Sequence, residues 1–355
     1  MMKVLVVGPS DIKGRGGMSS VIKDIRNSKL LNENFQLDVF ASCVDGNAVA
    51  RRLYALGAYA KFLSICKNYD VIHIHAASRG STLRKGLYLN AAKRMGKKVI
   101  LHIHGGKYMA YYEAASAGMQ KKIAKIVRSA DMVVALSDTW KQTFEETFDL
   151  QNCVSVENGV DTEALAPANT DNAENCKNYI FLGRLVKVKG TYDLVAAMEK
   201  AVKEVPDMKL YFAGDGEMEQ LKALVAEKNL QSNIEFVGWI DTPRKLELLK
   251  RCATVVLPSY HEGLPMAILE GMACGKAIIS TPVGAIPEVV KPENGILVTP
   301  GDVDALAEAL VRCAKNPQLL QQMSAGNSRK IQESYSTEAM HKKLAEIYRL
   351  TEAAK

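Results

Sequence analysis

Two glutamates eight residues apart, Glu262 and Glu270 in the run EGLPMAILE, flank a predicted helix start. The apolar, β-branched run Thr254–Leu257 predicts a buried strand, and Pro265 suits a first helical position, so we expect Glu262 in a loop and Glu270 on a helix. Backbone N–H groups at a helix start favour an anion such as phosphate, because they lack intrahelical acceptors and carry the positive end of the helix dipole. The amides in that position are those of Gly263, Leu264 and Met266.

This arrangement suits a diphosphate with a sugar on one side and a ribose on the other. Taken alone, the pair also fits two solvated carboxylates on a surface loop and helix. The segment FLGRLVKVKG adds two cations, Arg184 and Lys189, in the loop after another predicted strand. A guanidinium and an ammonium five residues apart can both reach a diphosphate and neutralise the charge that grows as a sugar departs, although solvated surface cations are the alternative.

A glycine-containing loop, Gly8–Gly17, follows the first predicted strand and ends in the pair Gly16 and Gly17 just before a helical pattern. Glycines allow backbone amides to approach a phosphate closely at a helix start. The loop is neither the G-x-G-x-x-G dinucleotide fingerprint nor a Walker loop. A flexible turn is the alternative interpretation.

Two predicted strands end in His-x-His, with His73 and His75 on one and His102 and His104 on the next. Because side chains alternate along a strand, each pair shares one face of the sheet. Four histidines without a neighbouring carboxylate motif indicate strand-end residues at a cleft more than a metal site.

Positive charge is concentrated in the first half of the chain. Residues 51–128 hold 16 Lys and Arg against only two acidic residues, whereas the whole chain has a net charge of +7. Such asymmetry indicates an anionic partner: a membrane surface, a lipid phosphate or a nucleic acid.

Aromatic, apolar and basic residues are interleaved in the segment after Gly106, in a pattern typical of an interfacial segment on an anionic bilayer. An ordinary core-facing helix with a solvated basic face has the same periodicity. The residues predicted to contact a membrane or an acceptor are Tyr108, Tyr111, Tyr112, Lys121, Lys122, Lys125 and Arg128.

The E-x7-E and G-R-x(4)-K-G runs together resemble the retaining glycosyltransferases of family 4, and the resemblance extends over nearly the whole chain. In that family the first Glu holds the donor hexose, the second holds the ribose, and the Arg and Lys bind the leaving diphosphate. The resemblance therefore implies catalytic roles for Glu262, Arg184 and Lys189, and a ribose contact for Glu270. His104, before a glycine pair, is similar to the family's His-Gly at the domain cleft and is the fourth implied catalytic residue.

Other positions match the family's donor-binding residues. Gly16 and Gly17 match a glycine pair against the donor diphosphate, and Gly238 before Trp239 matches the loop that receives the nucleobase. Trp239 also fits a simple core position. The remaining implied donor-binding residues are Gly183, Gly263, Leu264, Pro265 and Met266.

Short apolar runs alternate with helical patterns throughout, which predicts an α/β protein built from two doubly wound parallel sheets. We expect an N-terminal domain over 1–160 plus 338–355, a linker over 161–178 and a C-terminal nucleotide-sugar domain over 179–337. The resemblance implies the GT-B architecture, with two Rossmann-like domains facing a cleft and the last helix crossing back to the N-terminal domain.

Composition argues against several other classes. No run of about 18 apolar residues occurs, and the apolar run at the N-terminus is too short for a signal peptide, so a cytoplasmic location is predicted. Seven cysteines without a C-x-x-C pair fit reduced thiols better than disulfides or a zinc site. Asp302-x-Asp304 fits a helix N-cap, and no metal or other cofactor is expected.

The resulting prediction is a metal-independent, retaining hexosyltransferase that uses a UDP- or GDP-linked sugar. The expected acceptor is a glycan or a lipid-linked molecule, in cell-surface polysaccharide synthesis (capsule, exopolysaccharide or lipopolysaccharide) at the inner face of the cytoplasmic membrane, and no nucleic-acid partner is expected. Two alternatives stay open. A sugar-nucleotide epimerase of similar shape would need no acceptor, and a non-catalytic binder of anionic surfaces would leave the second-half motifs unexplained.

Overall fold

The computed structural model describes residues 1–12, 17–44, 48–78, 80–168 and 175–353. The chain forms two compact units, Met1–Gly159 with Thr337–Lys355, and Val160–Ser336. Within the described ranges, no helix combines the length and the apolar character needed to span a bilayer.

Each unit contains a six-stranded parallel sheet. The strands of the first unit are β1 (Lys3–Pro9), β2 (Gln36–Cys43), β3 (Val71–Ala76), β4 (Lys98–Ile103), β5 (Met132–Ala135) and β6 (Cys153–Ser155). Those of the second unit are β7 (Asn178–Leu182), β8 (Lys209–Ala213), β9 (Ile234–Gly238), β10 (Thr254–Leu257), β11 (Ala277–Ser280) and β12 (Gly295–Leu297). The strand orders are β2-β1-β3-β4-β5-β6 and β12-β11-β10-β7-β8-β9.

Helices link the strands, because parallel neighbours require crossover connections. The helices of the first half are α1 (Gly17–Asn27), α2 (Lys29–Asn34), α3 (Ala48–Ile65), α4 (Gly80–Arg94), α5 (Tyr108–Glu113), α6 (Ala117–Arg128) and α7 (Asp138–Phe148). The others are α8 (Thr162–Leu165), α9 (Thr191–Ala201), α10 (Met218–Glu227), α11 (Thr242–Arg251), α12 (Met266–Ala273), α13 (Ile286–Val289), α14 (Val303–Lys315), α15 (Pro317–Ser334) and α16 (Thr337–Ala353).

The predicted pair of doubly wound parallel sheets is confirmed. Central strands such as β3 and β10 are buried along their whole length, as their apolar runs predict. β2 was not predicted from the sequence. It lies at the edge of its sheet and, among the described strands, pairs with β1 alone. Its residues alternate in burial and include Asp38, so the strand lacks a continuous apolar run.

Two local expectations need correction. Pro265 is the N-cap of α12, so it lies one position before the first helical residue. The segment predicted as a linker contains the helix α8, and residues 169–174 of it lie outside the described ranges. The predicted N-cap at Asp302 is confirmed, because its carboxylate accepts a hydrogen bond from the amide of Ala305 at 2.9 Å.

Candidate active site

Glu262 lies in the loop between β10 and α12, with its side chain only 8% exposed. One carboxylate oxygen accepts hydrogen bonds from Lys189 Nζ at 2.6 Å and from Ser259 Oγ at 2.7 Å. Lys189 ends a 3-10 turn, Lys187–Lys189, in the connection after β7. Two residues that the sequence predicted as catalytic thus form an ion pair, which compensates a nearly buried carboxylate and orients it.

The loop that carries Glu262 is held by the loop after β11. Thr281 Oγ1 donates to the Ser259 carbonyl at 2.6 Å, and the amide of Ala285 donates to the Gly263 carbonyl at 2.9 Å. Gly284 has a φ of +59°, and a Cβ added there would lie 2.3 Å from the Glu262 carbonyl oxygen. Glycine at this position therefore allows the two loops to approach closely.

The start of α12 presents the positive end of its helix dipole. Pro265 at the N-cap has no side-chain oxygen with which to cap the first turn. Gly263 and Leu264 are buried just before the helix, and Met266 is half-buried. A phosphate at this helix start would gain backbone hydrogen bonds and a favourable dipole interaction.

Glu270 lies on α12, as predicted, and forms an ion pair with Lys245 of α11 at 2.6 Å. The Glu270 side chain is 18% exposed and that of Lys245 is 20% exposed, so the pair is only partly solvated. Lys245 was not predicted from the sequence. It is 25 residues from Glu270 in the chain and belongs to none of the motifs, so only the fold brings the two together.

Arg184 follows β7 and differs from Lys189 in its surroundings. Its side chain is 70% exposed, and its Nε lies 4.0 Å from a carboxylate oxygen of Asp215. A Cβ added to Gly214 would lie 1.7 Å from the carbonyl oxygen of Gly183, so glycine at 214 lets the loops after β7 and β8 approach closely. The two predicted cations therefore have different partners, and Arg184 is the more accessible to a ligand.

The loop after β9 begins with a glycine and an exposed indole. Gly238 has a φ of +72°, which favours glycine. The next residue, Trp239, is 49% exposed. The alternative interpretation of Trp239 as a core residue is therefore wrong, and the indole lies at the surface of the second unit.

In the first unit, the glycine loop after β1 is only partly described. Gly17 is the exposed first residue of α1. Gly16 lies outside the described residues, so its predicted contact with a diphosphate stays a prediction.

The four histidines at the ends of β3 and β4 form one cluster. His104 Nε2 lies 2.8 Å from His75 Nδ1, and His73 Nε2 lies 3.3 Å from His102 Nδ1. The hydroxyl of Tyr348 on α16 lies 2.9 Å from His73 Nδ1. The sequence placed the histidines in pairs, and the structure shows that the pairs contact each other and a tyrosine from the C-terminal helix.

Burial keeps the cluster neutral. It lowers the pKa of His73 to about 3 and the pKa values of His75 and His102 well below the ordinary value, and neighbouring imidazoles add to the shift. Neutral imidazoles are also metal ligands, and one ring nitrogen from each of these three residues lies within 4.8 Å of the others. The expectation of no metal at this cluster stays a prediction.

The predicted membrane contacts of the three tyrosines in α5 need correction. Tyr108 is fully buried and packs edge-on against Phe144 and Phe148 of α7. Tyr111 and Tyr112 are half-buried and pack against the same core. The aromatic residues therefore stabilise the fold, because the apolar face of this segment is occupied by the protein's own core.

The basic residues of α6 have the opposite environment. Lys121, Lys122 and Lys125 are exposed. Arg128 is also exposed, but its Nε donates a hydrogen bond of 2.6 Å to the carbonyl of Phe148. Phe148 is the last residue of α7, and a cation at a helix C-terminus interacts favourably with the helix dipole. The three lysines are therefore accessible to an anionic partner, and their predicted contact with one stays a prediction.

Two family models match consecutive parts of the chain. The first is described as "Glycosyltransferase Family 4" and matches residues 29–164, and the second, "Glycosyl transferases group 1", matches residues 165–330. The loops with Arg184 and Glu262 and the helix with Glu270 all lie in the second match.

Several known proteins are similar to the chain. It is 25% identical to a GDP-mannose-dependent monoacylated alpha-(1-6)-phosphatidylinositol monomannoside mannosyltransferase of Corynebacterium glutamicum, over 76% of this chain and 74% of that protein. Among solved structures, sucrose-phosphate synthase of Thermosynechococcus elongatus has a TM-score of 0.80 at 20% identity, covering 100% of both chains. HepE of Anabaena in complex with UDP-glucose has a TM-score of 0.78 at 20% identity, covering 98% of this chain and 100% of that one.

Proposed function

The chain belongs to family 4 of the glycosyltransferases and has their GT-B fold, and on that premise we propose that it transfers a hexose from a nucleoside diphosphate with retention of anomeric configuration. The observation that carries the proposal is the buried Glu262 beside the start of α12, held by Lys189 and Ser259. A carboxylate oriented in this way can accept hydrogen bonds from sugar hydroxyls, while the helix start receives the diphosphate.

The transfer breaks the bond between the anomeric carbon and the diphosphate oxygen. The acceptor hydroxyl then bonds to that carbon on the same face, and its proton passes to the departing phosphate oxygen. Lys189 and Arg184 neutralise the charge that develops on the diphosphate, which is where preorganised cations stabilise a transition state most. His104 is assigned to this step by the family resemblance alone.

We propose UDP or GDP as the nucleotide and a glycan or lipid-linked molecule as the acceptor. The names of the similar proteins support this choice, since one is a GDP-mannose-dependent mannosyltransferase named for a phosphatidylinositol mannoside, and another binds UDP-glucose. The three exposed lysines of α6 fit a role at the inner face of the cytoplasmic membrane in cell-surface polysaccharide synthesis.

A thermal-shift screen across UDP-, GDP- and ADP-sugars tests the donor class. A ligand that binds only the folded state raises Tm. A free ligand concentration 100 times the Kd stabilises the folded state by about 2.7 kcal/mol. We expect one UDP- or GDP-sugar to raise Tm clearly above the value with the free sugar. No shift with any nucleotide sugar would overturn the proposal.

Glu270→Ala should chiefly raise the KM for the donor, because a ribose contact is similar in the ground state and the transition state. Steady-state kinetics at varied donor concentration measure the split. Glu219→Ala on α10, where the side chain is 83% exposed, is the matched control and should leave both constants unchanged. A large fall in kcat with an unchanged KM would contradict the ribose assignment.

Transfer activity should survive treatment with EDTA, because Arg184 and Lys189 would supply the charge that a divalent ion supplies in other enzymes. The same assay with added manganese is the control and should give the same rate. Loss of activity with EDTA that manganese restores would contradict a metal-independent reaction and make the histidine cluster a candidate metal site.

A further inference from the structure

An open groove with a volume of about 440 Å³ lies along the contact between α4 and α6 in the first unit. Its polar lining includes Arg84 of α4 and Lys122 and Lys125 of α6. Leu87 and Ile126 contribute to an apolar wall beside these cations. None of the predicted nucleotide-sugar residues is among the residues that line the groove.

The electrostatics of the groove favour an anion. Three of its eight lining residues, Arg84, Lys122 and Lys125, are cations, and none of the eight is acidic. The Nε of Arg84 is buried and has no hydrogen-bond partner among the residues that the structure describes. A buried guanidinium N–H without an acceptor costs free energy, so a ligand oxygen that accepted from it would be bound favourably.

The apolar wall indicates that the anion belongs to an amphiphile. Leu87 is 54% exposed on α4. A Cβ added to Gly86 would lie 2.6 Å from Ile126 Cδ1, so the glycine allows the two helices to pack closely at the groove. An exposed leucine beside a guanidinium and two ammonium groups matches a phosphate that adjoins hydrocarbon.

We infer that the groove between α4 and α6 binds the phosphate headgroup of an acidic membrane lipid. Arg84 holds the phosphate, Lys122 and Lys125 neutralise its charge, and Leu87 contacts the glycerol and upper acyl region. The inference rests on the proposed function, in which the acceptor is presented at a membrane. In this proposal the lipid contacts one site around Arg84. A diffuse attraction would instead involve all the basic residues of α6.

Co-sedimentation with vesicles tests the site. The vesicles are phosphatidylcholine alone or phosphatidylcholine with phosphatidic acid, and the variants are Arg84→Gln and Lys121→Gln. Each variant removes one charge, but Lys121 does not line the groove. Wild type should bind only the acidic vesicles. Arg84→Gln should weaken binding at least about tenfold, and Lys121→Gln by about fivefold or less, which is the effect of one diffuse surface charge.

Equal losses of vesicle affinity in the two variants would show diffuse electrostatic attraction and contradict a specific lipid site. Equal binding of wild type to neutral and acidic vesicles, or binding to neither, would also contradict it. If Arg84→Gln lowers Tm, Lys125→Gln at an exposed groove position replaces it and should also exceed the loss in Lys121→Gln. Donor binding, measured by thermal shift, should be the same in all variants. Vesicle binding without any donor binding would refute the proposed function and leave the lipid site standing.

Discussion

Lys189→Ala should lower kcat by a factor of roughly ten to a thousand, as expected for the loss of one preorganised electrostatic contact. Lys189 is the only cation among the described residues that contacts Glu262 in an ion pair, at 2.6 Å. Its removal would take a positive charge from the departing diphosphate and release the carboxylate that is proposed to hold the sugar. The effect should appear in kcat because the charge on the diphosphate grows only as the glycosidic bond breaks.

Steady-state kinetics at saturating donor measure this change. Lys187→Ala is the matched control, because Lys187 lies in the same 3-10 turn but is exposed, and it should retain wild-type turnover. Tm values of both variants separate a catalytic defect from unfolding. Turnover close to that of wild type in Lys189→Ala would contradict the assignment.

Acid should destabilise the first unit steeply, because its buried histidines resist protonation in the folded state. Their ordinary pKa of about 6.5 applies when the chain is unfolded, whereas the folded pKa of His73 is about 3 and those of His75 and His102 are also strongly lowered. Below pH 6.5 the unfolded state therefore binds more protons. The histidines reach their full contribution to the free energy of unfolding above that pH. As the pH drops towards the folded pKa values, the free energy of unfolding falls by about 1.4 kcal/mol per pH unit for each histidine.

Urea unfolding followed by tryptophan fluorescence can report on this unit alone. The chain has two tryptophans, Trp140 in the first unit and Trp239 in the second, so a Trp239→Phe background leaves Trp140 as the probe. The urea midpoint should fall between pH 7.5 and pH 5. His102→Gln should reduce the pH dependence, and His261→Gln, at an exposed position outside the cluster, should preserve it. A midpoint that is independent of pH would contradict the neutral, buried cluster.

The sequence predicted most of the fold because buried parallel strands are apolar along their whole length. β10 has such a run and was predicted with the observed bounds. β2 was missed because an edge strand with one paired neighbour tolerates polar residues, and Asp38 breaks its apolar pattern.

The site residues that belong to short sequence motifs were predicted, whereas those that only tertiary packing brings to the site were not. Glu262 and Lys189 were found from their motifs, whereas Ser259 and Lys245, which contact the two glutamates, belong to no motif and are placed by the fold. Tyr108 was misassigned for a related reason. An aromatic residue beside lysines has the same periodicity whether it faces a membrane or the core, and only the position of α7 decides between them.

The most direct test of the account is a crystal structure of the EDTA-treated protein with the nucleotide sugar that raises Tm most. The diphosphate should lie at the first turn of α12, with the hexose beside Glu262, the ribose beside Glu270 and Lys189 against a phosphate oxygen. Soaking Lys189→Ala and Lys187→Ala crystals in parallel would show whether that contact is specific. A donor bound elsewhere in the chain, with the start of α12 unoccupied, would contradict the account.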